Sequence, residues 1–273
     1  MAADQRELVA GLFDRVADTY DRTGVELFQP VAERLVAELT PRPGEAALDV
    51  GCGRGAALFA LARAVGAEGR AVGIDLAPRM VAATARDAAD AGLHVDVRVG
   101  DAREPSLGGE AFDLVASSLV LFFLPDPLAA LRAWRTLLVP GGRLGISTFG
   151  DYTAAWHGVD EVFAPYLPPG MADPRRQGHE SPFASDAAVE RLLLDANYLD
   201  VRTTTMTVPV RFEDEEHWRR WTWSVGQRRM WEAIPPGERD MVRAAAYARL
   251  DHCRDAEGRI GFDQVVRFTL GRR

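Results

Sequence analysis

Three carboxylates and three glycines carry the chemistry that can be read first. The stretch Leu48-Asp49-Val50-Gly51-Cys52-Gly53-Arg54-Gly55 ends an apolar run with an acid, then sets glycine at every second position. Glycine lets a backbone turn tightly and approach a ligand with no Cβ in the way. Such a loop can hold the pyrophosphate of a dinucleotide, but that fingerprint wants its third glycine at position 56, which is Ala56. Alanine is tolerated there, so the stronger objection is Asp49, an anion that repels a pyrophosphate and suits an ammonium or a sulfonium. Asp75 closes Val72-Gly73-Ile74-Asp75 about 20 residues past the loop, where an acid accepts hydrogen bonds from two ribose hydroxyls. Asp101, in Gly100-Asp101-Ala102, can read the amino edge of an adenine beside a free backbone N–H.

These residues need a scaffold that brings three loops to one edge. Short apolar runs at Ala46–Val50, 71–74, 93–99, 112–117 and 143–149 read as strands, with helices at Ala56–Val65, 78–91 and 127–138 between them. That alternation predicts a parallel α/β sheet with right-handed crossovers, in which ligands bind at the carboxyl ends of the strands. Residues 5–39 are helical by the spacing of Leu8, Leu12, Phe13 and Val16, then Val31, Leu35, Val36 and Leu39. Beyond Phe149 the rhythm breaks into a Pro-, Gly- and aromatic-rich stretch at 150–182, a long loop or short cap helices. A helix at 187–196, a strand at 198–212, a Trp-rich helical insertion at 213–252 and a final strand at 260–270 follow.

Composition narrows the chemistry. The 273 residues carry a net charge of −8, which argues against nucleic acid or an anionic membrane as partner. The basic clusters at 175–177 and 227–229 read as solvated surface. All 32 basic residues are arginine, so Schiff-base, P-loop and general-base lysines are excluded. Two distant cysteines, Cys52 and Cys253, suit neither a disulfide framework nor a zinc site, and no metal is expected. A charged N-terminus without an apolar core segment reads as cytoplasmic.

The set LDVGCGRG (48–55), VGIDLAPRM (72–80), GDA (100–102), FDLVASSLVLFFLPDP (112–127) and LLVPGGRLGISTF (137–149) resembles the class I S-adenosylmethionine-dependent methyltransferases. FDRVADTYDRTG (13–24) is similar to the helical lid of their small-molecule branch, the ubiquinone-type and natural-product enzymes. The resemblance implies a Rossmann-like seven-stranded, mostly parallel sheet with an antiparallel last strand, helices on both faces and a helical cap. Residues 1–40 would form the lid, 41–149 the cofactor core, and 150–273 the cap insertions and last two strands. S-adenosylmethionine would be held by Tyr20, Asp49, Gly51, Cys52, Gly53, Asp75, Leu76, Met80, Asp101, Ala102 and Ser117.

The reaction implied is in-line transfer of a methyl group to a nucleophile, with a general base only if the acceptor keeps its proton. The Asn/Asp-Pro-Pro-aromatic turn of exocyclic-amine methyltransferases is replaced by Ser117-Ser118-Leu119-Val120. Where many small-molecule relatives have a histidine, this chain has Phe122 and Phe123, which leave aromatic faces and no base. His94, His217 and His252 read as surface, whereas His157 and His179 fall where an acceptor pocket should form. Tyr20, His157 and His179 are therefore the candidates for catalysis, and Phe28, Phe122, Phe123, Trp156 and Trp223 for the acceptor. Trp218 and Trp221 share a helical face with Trp223 turned away, as the core of a cap or the wall of a flat aromatic pocket. The acceptor expected is a small aromatic secondary metabolite, an O-methylated phenol or, close behind, a C-methylated ring such as indole. A non-methylating cyclase and a nicotinamide-dependent oxidoreductase are the alternatives. The partner expected is a small molecule, with the protein a monomer or homodimer.

Overall fold

The computed structural model describes residues 2–167 and 181–273, with side chains from residue 6 onward. Seven strands make one sheet in the order β3-β2-β1-β4-β5-β7-β6. They are Ala46–Val50 (β1), Arg70–Asp75 (β2), Asp96–Val99 (β3), Phe112–Ser118 (β4), Leu138–Tyr152 (β5), Leu199–Phe212 (β6) and Ile260–Arg272 (β7). The first five pair in parallel, and β7 runs antiparallel to both β5 and β6.

The helices are Ala2–Val16 (α1), Phe28–Leu39 (α2), Ala56–Val65 (α3), Pro78–Asp90 (α4), Pro127–Leu137 (α5), Ala154–Glu161 (α6), Asp186–Asp195 (α7), Glu215–Ser224 (α8), Arg228–Ala233 (α9) and Arg239–Leu250 (α10). Leu35 and Leu39 of α2 and Leu61 and Val65 of α3 pack with Ala47, Leu114 and Ala116 on one face of the sheet. Leu131 and Trp134 of α5 and Val189 and Leu193 of α7 pack with Leu48, Val115, Leu144 and Ile146 on the other. Because both faces are covered, the central strands are apolar without alternation. Asp126 and Ser185 start α5 and α7 by accepting the amides of Ala129 and Ala188. No helix among the described residues is long and apolar enough to cross a membrane.

Two readings change, and of the two alternatives after Phe149 a short helix, α6, forms. Pro140-Gly141-Gly142 does not separate helix from strand, because β5 begins at Leu138. Those residues form an irregular entry, with the register jumping between Phe112 and Leu114 and Gly141 at φ +77°. His217, expected on the surface, is buried: its Nδ1 accepts the Glu213 amide, and its Nε2 lies 2.8 Å from Thr23 O. With Nδ1 accepting, Nε2 carries the proton and donates to Thr23, tying the loop after α1 to α8. Flanking acids suggested solvation; the turn between β6 and α8 instead points the ring inward.

The aromatic insertion builds its own core. Trp231 lies 4.9 Å from Phe163 and 5.7 Å from Trp218, ring centre to ring centre, and its indole N–H donates to Thr222. Arg15 of α1 is paired to Glu232 of α9 at 2.7 Å, and the Arg79 amide at the start of α4 donates to Asp14. Helix α1 is thus fastened both to the cap and to the cofactor side of the sheet.

Candidate active site

The glycine loop is fixed by the strand beside it. The amides of Gly51 and Cys52 both donate to Ile74 O, at 2.8 and 2.9 Å. Gly51 sits at φ +75°, and a Cβ there would lie 2.5 Å from Val120 Cγ2, so a side chain is refused on two grounds. Gly53, at φ +49°, lines an open cavity, and a Cβ there would meet no protein atom within 4 Å. Its amide donates to Asp75 Oδ2 at 2.8 Å, while the Ala77 amide donates to Oδ1 at 2.9 Å. Burial pushes the Asp75 carboxyl above the usual carboxylate range, and those two amides oppose the shift. Each oxygen retains accepting capacity, which is what a pair of ribose hydroxyls requires.

Asp101 stands at the third strand end. Against the cost of burial, hydrogen bonds from Arg103 and the charge of Arg6 hold its carboxyl below the usual range. The loop is pinned from beneath by Trp134, whose indole N–H donates to Ala102 O at 2.6 Å. Leu76 and Met80 line the cavity between Asp75 and Asp101.

Asp49, Cys52 and Ser117 are placed differently from the other cofactor candidates. None lines the cavity; they lie under its floor. Ser117 Oγ donates to Val50 O at 2.9 Å, and the neighbouring Ser118 reaches the cavity in its place. Cys52 packs beneath the loop against Leu58, and burial raises its thiol. Asp49 is 1% exposed, and both its carboxylate oxygens are without a hydrogen-bond partner among the described residues. Burial lifts its carboxyl to about 7; the nearby Leu58 amide, too poorly placed for a full hydrogen bond, opposes the shift and the charge of Asp75 adds to it.

The cavity over the carboxyl edge measures about 1350 Å³. A single small-molecule site takes about 300–1,000 Å³, so this one has room for two ligands side by side. The strand ends form one part. Tyr20 and Phe28, with ring centres 4.9 Å apart, lie over the cavity from the lid. Burial, then the charges of Asp21 and Asp75, push the Tyr20 phenol far up. Tyr20 therefore keeps its proton and can donate a hydrogen bond, but it cannot serve as a base. Phe122, Phe123, Phe149, Trp156, Trp221 and Phe262 make the other part a largely aromatic chamber.

Of the remaining candidates, His157 does not line the cavity; it stacks on the outer face of Tyr152, 4.5 Å between ring centres. His179 lies outside the described residues. Trp223 also stands off the cavity, stacked on Trp231 with the Arg228 guanidinium 5.3 Å from its ring centre. Several lining residues escape a reading of the sequence: Thr148, Tyr152, Asp160, Gln227 and Gln264. Asp160 had a signal, since it falls four residues after Trp156 and so on the same helical face. Thr148 Oγ, Trp221 Nε1 and Gln227 Oε1 are buried with no partner among the described residues. Each such atom costs about 1–3 kcal/mol until something pairs with it.

A methyltransferase-domain family matches residues 47–142. The nocamycin O-methyltransferase of Saccharothrix syringae is 38% identical over 272 residues, spanning 96% of this chain and 97% of that one. The aklanonic acid methyltransferase of Streptomyces sp. strain C5 is 37% identical over 169 residues, 62% of this chain and 77% of its own length. The crystal structure of the YcgJ protein from Bacillus subtilis shares the fold, with a TM-score of 0.59 at 15% identity, over 89% of this chain and 98% of that one.

Proposed function

The chain belongs to the S-adenosylmethionine-dependent methyltransferases, and on that premise we propose that it methylates an oxygen of a flat, aromatic secondary metabolite. The residues at the strand ends fit the cofactor: a glycine cradle open to the cavity at Gly53, a buried carboxylate at Asp75 and a second at Asp101. When bound, S-adenosylmethionine supplies a methyl group on a sulfonium. Asp75 would accept the ribose hydroxyls, Asp101 the adenine amino group, and Gly51 and Gly53 would let the backbone approach the amino-acid end. Asp49 lies beneath the loop with its carboxyl raised to about 7, and a positively charged ligand end above it would favour its ionised form.

The single observation that carries the acceptor reading is the aromatic chamber joined to the cofactor end in one cavity. Phe122, Phe149, Trp156 and Phe262 would clamp a planar ring and exclude water, and such positioning contributes up to ~7–11 kcal/mol to a displacement. Among the described residues no histidine lines the cavity, and Tyr20 keeps its proton. The acceptor oxygen on this reading is an acidic one, of a phenol or a carboxyl group, which gives up its proton readily. The relative named as a nocamycin O-methyltransferase supports oxygen over carbon.

The test is to incubate the protein with S-adenosylmethionine and a panel of hydroxylated anthraquinones, naphthols and indoles, reading S-adenosylhomocysteine release and product mass. A methyl ether is expected from the polycyclic members. A methyl group mapped to ring carbon by NMR, or turnover of indoles alone, would overturn the oxygen assignment.

A further inference from the structure

Two side chains of α4 hold the glycine loop from its far side. Thr84, fully buried, donates its hydroxyl to Gly53 O at 2.6 Å, and Asp87 accepts from the Arg54 guanidinium. Residues three apart share a helical face, so one face of α4 grips two consecutive loop residues. One of them, Gly53, is the residue that opens onto the cavity.

The same carboxylate also holds the lid. Arg22 donates to Asp87 Oδ1 at 2.7 Å, while Arg54 takes Oδ2. The other arm of the Arg54 fork donates to Ala17 O, just past the end of α1. Residues 17–22 are thus fastened at both ends, and Tyr20, which lies over the cavity, stands between the two fastenings. Its neighbour Asp21 sits at φ +56°, a left-handed conformation that a residue with a Cβ keeps only where its surroundings impose it. Against the cost of burial, hydrogen bonds from Arg54 and Arg22 hold the Asp87 carboxyl below its usual range, so it is ionised at neutral pH. Arg54 Nε is buried with no partner among the described residues, a cost that an ordinary surface ion pair does not carry. What arginine supplies here is a fork whose two arms reach two elements at once.

We propose that Arg54 and Asp87 are positioning residues that couple the cofactor seat at Gly53 to the lid turn, keeping Tyr20 over a bound cofactor and slowing its release. Arg22, Arg54 and Asp87 do not line the cavity, so they act through Tyr20 rather than on the ligand. The inference rests on the placement of the cofactor at Gly53 and Asp75 given above, and adds what holds it in.

The test chases tritiated S-adenosylhomocysteine from the protein with excess unlabelled compound, and follows amide hydrogen exchange of residues 12–22 in the same complex. Arg54→Met removes both bonds of the fork and should speed release by at least about tenfold, the worth of one hydrogen bond to a charged group. Arg54→Lys keeps the charge but reaches only one partner, and should restore part of the native rate. Arg22→Met leaves the glycine loop's own bonds intact and should speed release about two- to threefold, since an exposed pair contributes less. Exchange in residues 12–22 should rise in step with release, while that of β1 stays at its native value. Arg54→Met added to Tyr20→Ala should change release by less than about twofold beyond Tyr20→Ala alone, because groups acting through one another are not additive. Native release rates in both Arg54→Met and Arg22→Met overturn the coupling. Faster release in Arg54→Met with release in Arg22→Met and lid exchange at native values also overturns it, assigning Arg54 to the loop alone. A native protein that does not bind S-adenosylhomocysteine overturns the cofactor placement itself.

Discussion

The two parts of the cavity are made by different means. The cofactor part is built by backbone: two positive-φ glycines, amides tied to Ile74 O, and an Asp75 carboxylate oriented by the amides of Gly53 and Ala77. The acceptor part is built by side chains from β5, α6, α8 and β7, with aromatic rings as walls and a few polar atoms between them. A backbone site tolerates little substitution and binds one ligand shape. A side-chain site can be re-lined without disturbing the sheet, which is how one scaffold serves many acceptors.

That contrast can be broken by mutation, beginning where the effect is largest. Asp75→Ala removes two hydrogen bonds to a charged acceptor, each ~1.5–3 kcal/mol, and should weaken S-adenosylmethionine binding by at least about 100-fold in calorimetry. Gly51→Ala places a Cβ against Val120 in a left-handed conformation that costs ~1–2 kcal/mol, and should lower both cofactor affinity and Tm. Phe123→Ala, in the chamber, should leave cofactor affinity within about threefold while raising acceptor KM by about tenfold, the loss of roughly one buried ring contact. His157→Ala should change turnover by less than about threefold, since that ring reaches the cavity only through Tyr152; loss of most of the activity would mean that it moves to the acceptor during catalysis.

Asp49 sharpens the comparison from beneath the floor. Its folded carboxyl, at about 7, lies above the ordinary 3.8, so the fold favours the protonated form. Stability from this group is full below about pH 4, is lost as pH rises through about 7, and is level beyond. Asp49→Asn should flatten that decline, seen as a smaller fall in urea midpoint between pH 5 and pH 8. A fall as steep as that of the native protein would show that Asp49 is ionised throughout.

The backbone part was legible in the sequence and the side-chain part was not, for one physical reason. A loop that must turn tightly beside a strand end requires glycines at set spacing and acids at successive strand ends, so local sequence encodes Gly51, Gly53, Asp75 and Asp101. Even there, the sequence could not say that Asp49, Cys52 and Ser117 sit below the floor, because strand parity shows which face a side chain takes and not its depth. The chamber draws on residues as far apart as Phe28 and Gln264, and only the tertiary fold brings them together. His157 looked well placed along the chain, yet α6 presents Trp156 and Asp160 to the cavity and stacks His157 behind Tyr152. Gln227 read as part of a solvated basic cluster, but the turn into α9 brings it to the cavity wall.

The central claim is that the two parts bind independently, and one paired titration tests it most directly. S-adenosylhomocysteine is titrated calorimetrically into Asp75→Ala and Asp160→Asn beside the native protein. The account predicts a loss of at least about 100-fold in the first and a Kd within about threefold of native in the second. Equal losses in both would show a single coupled site and contradict it.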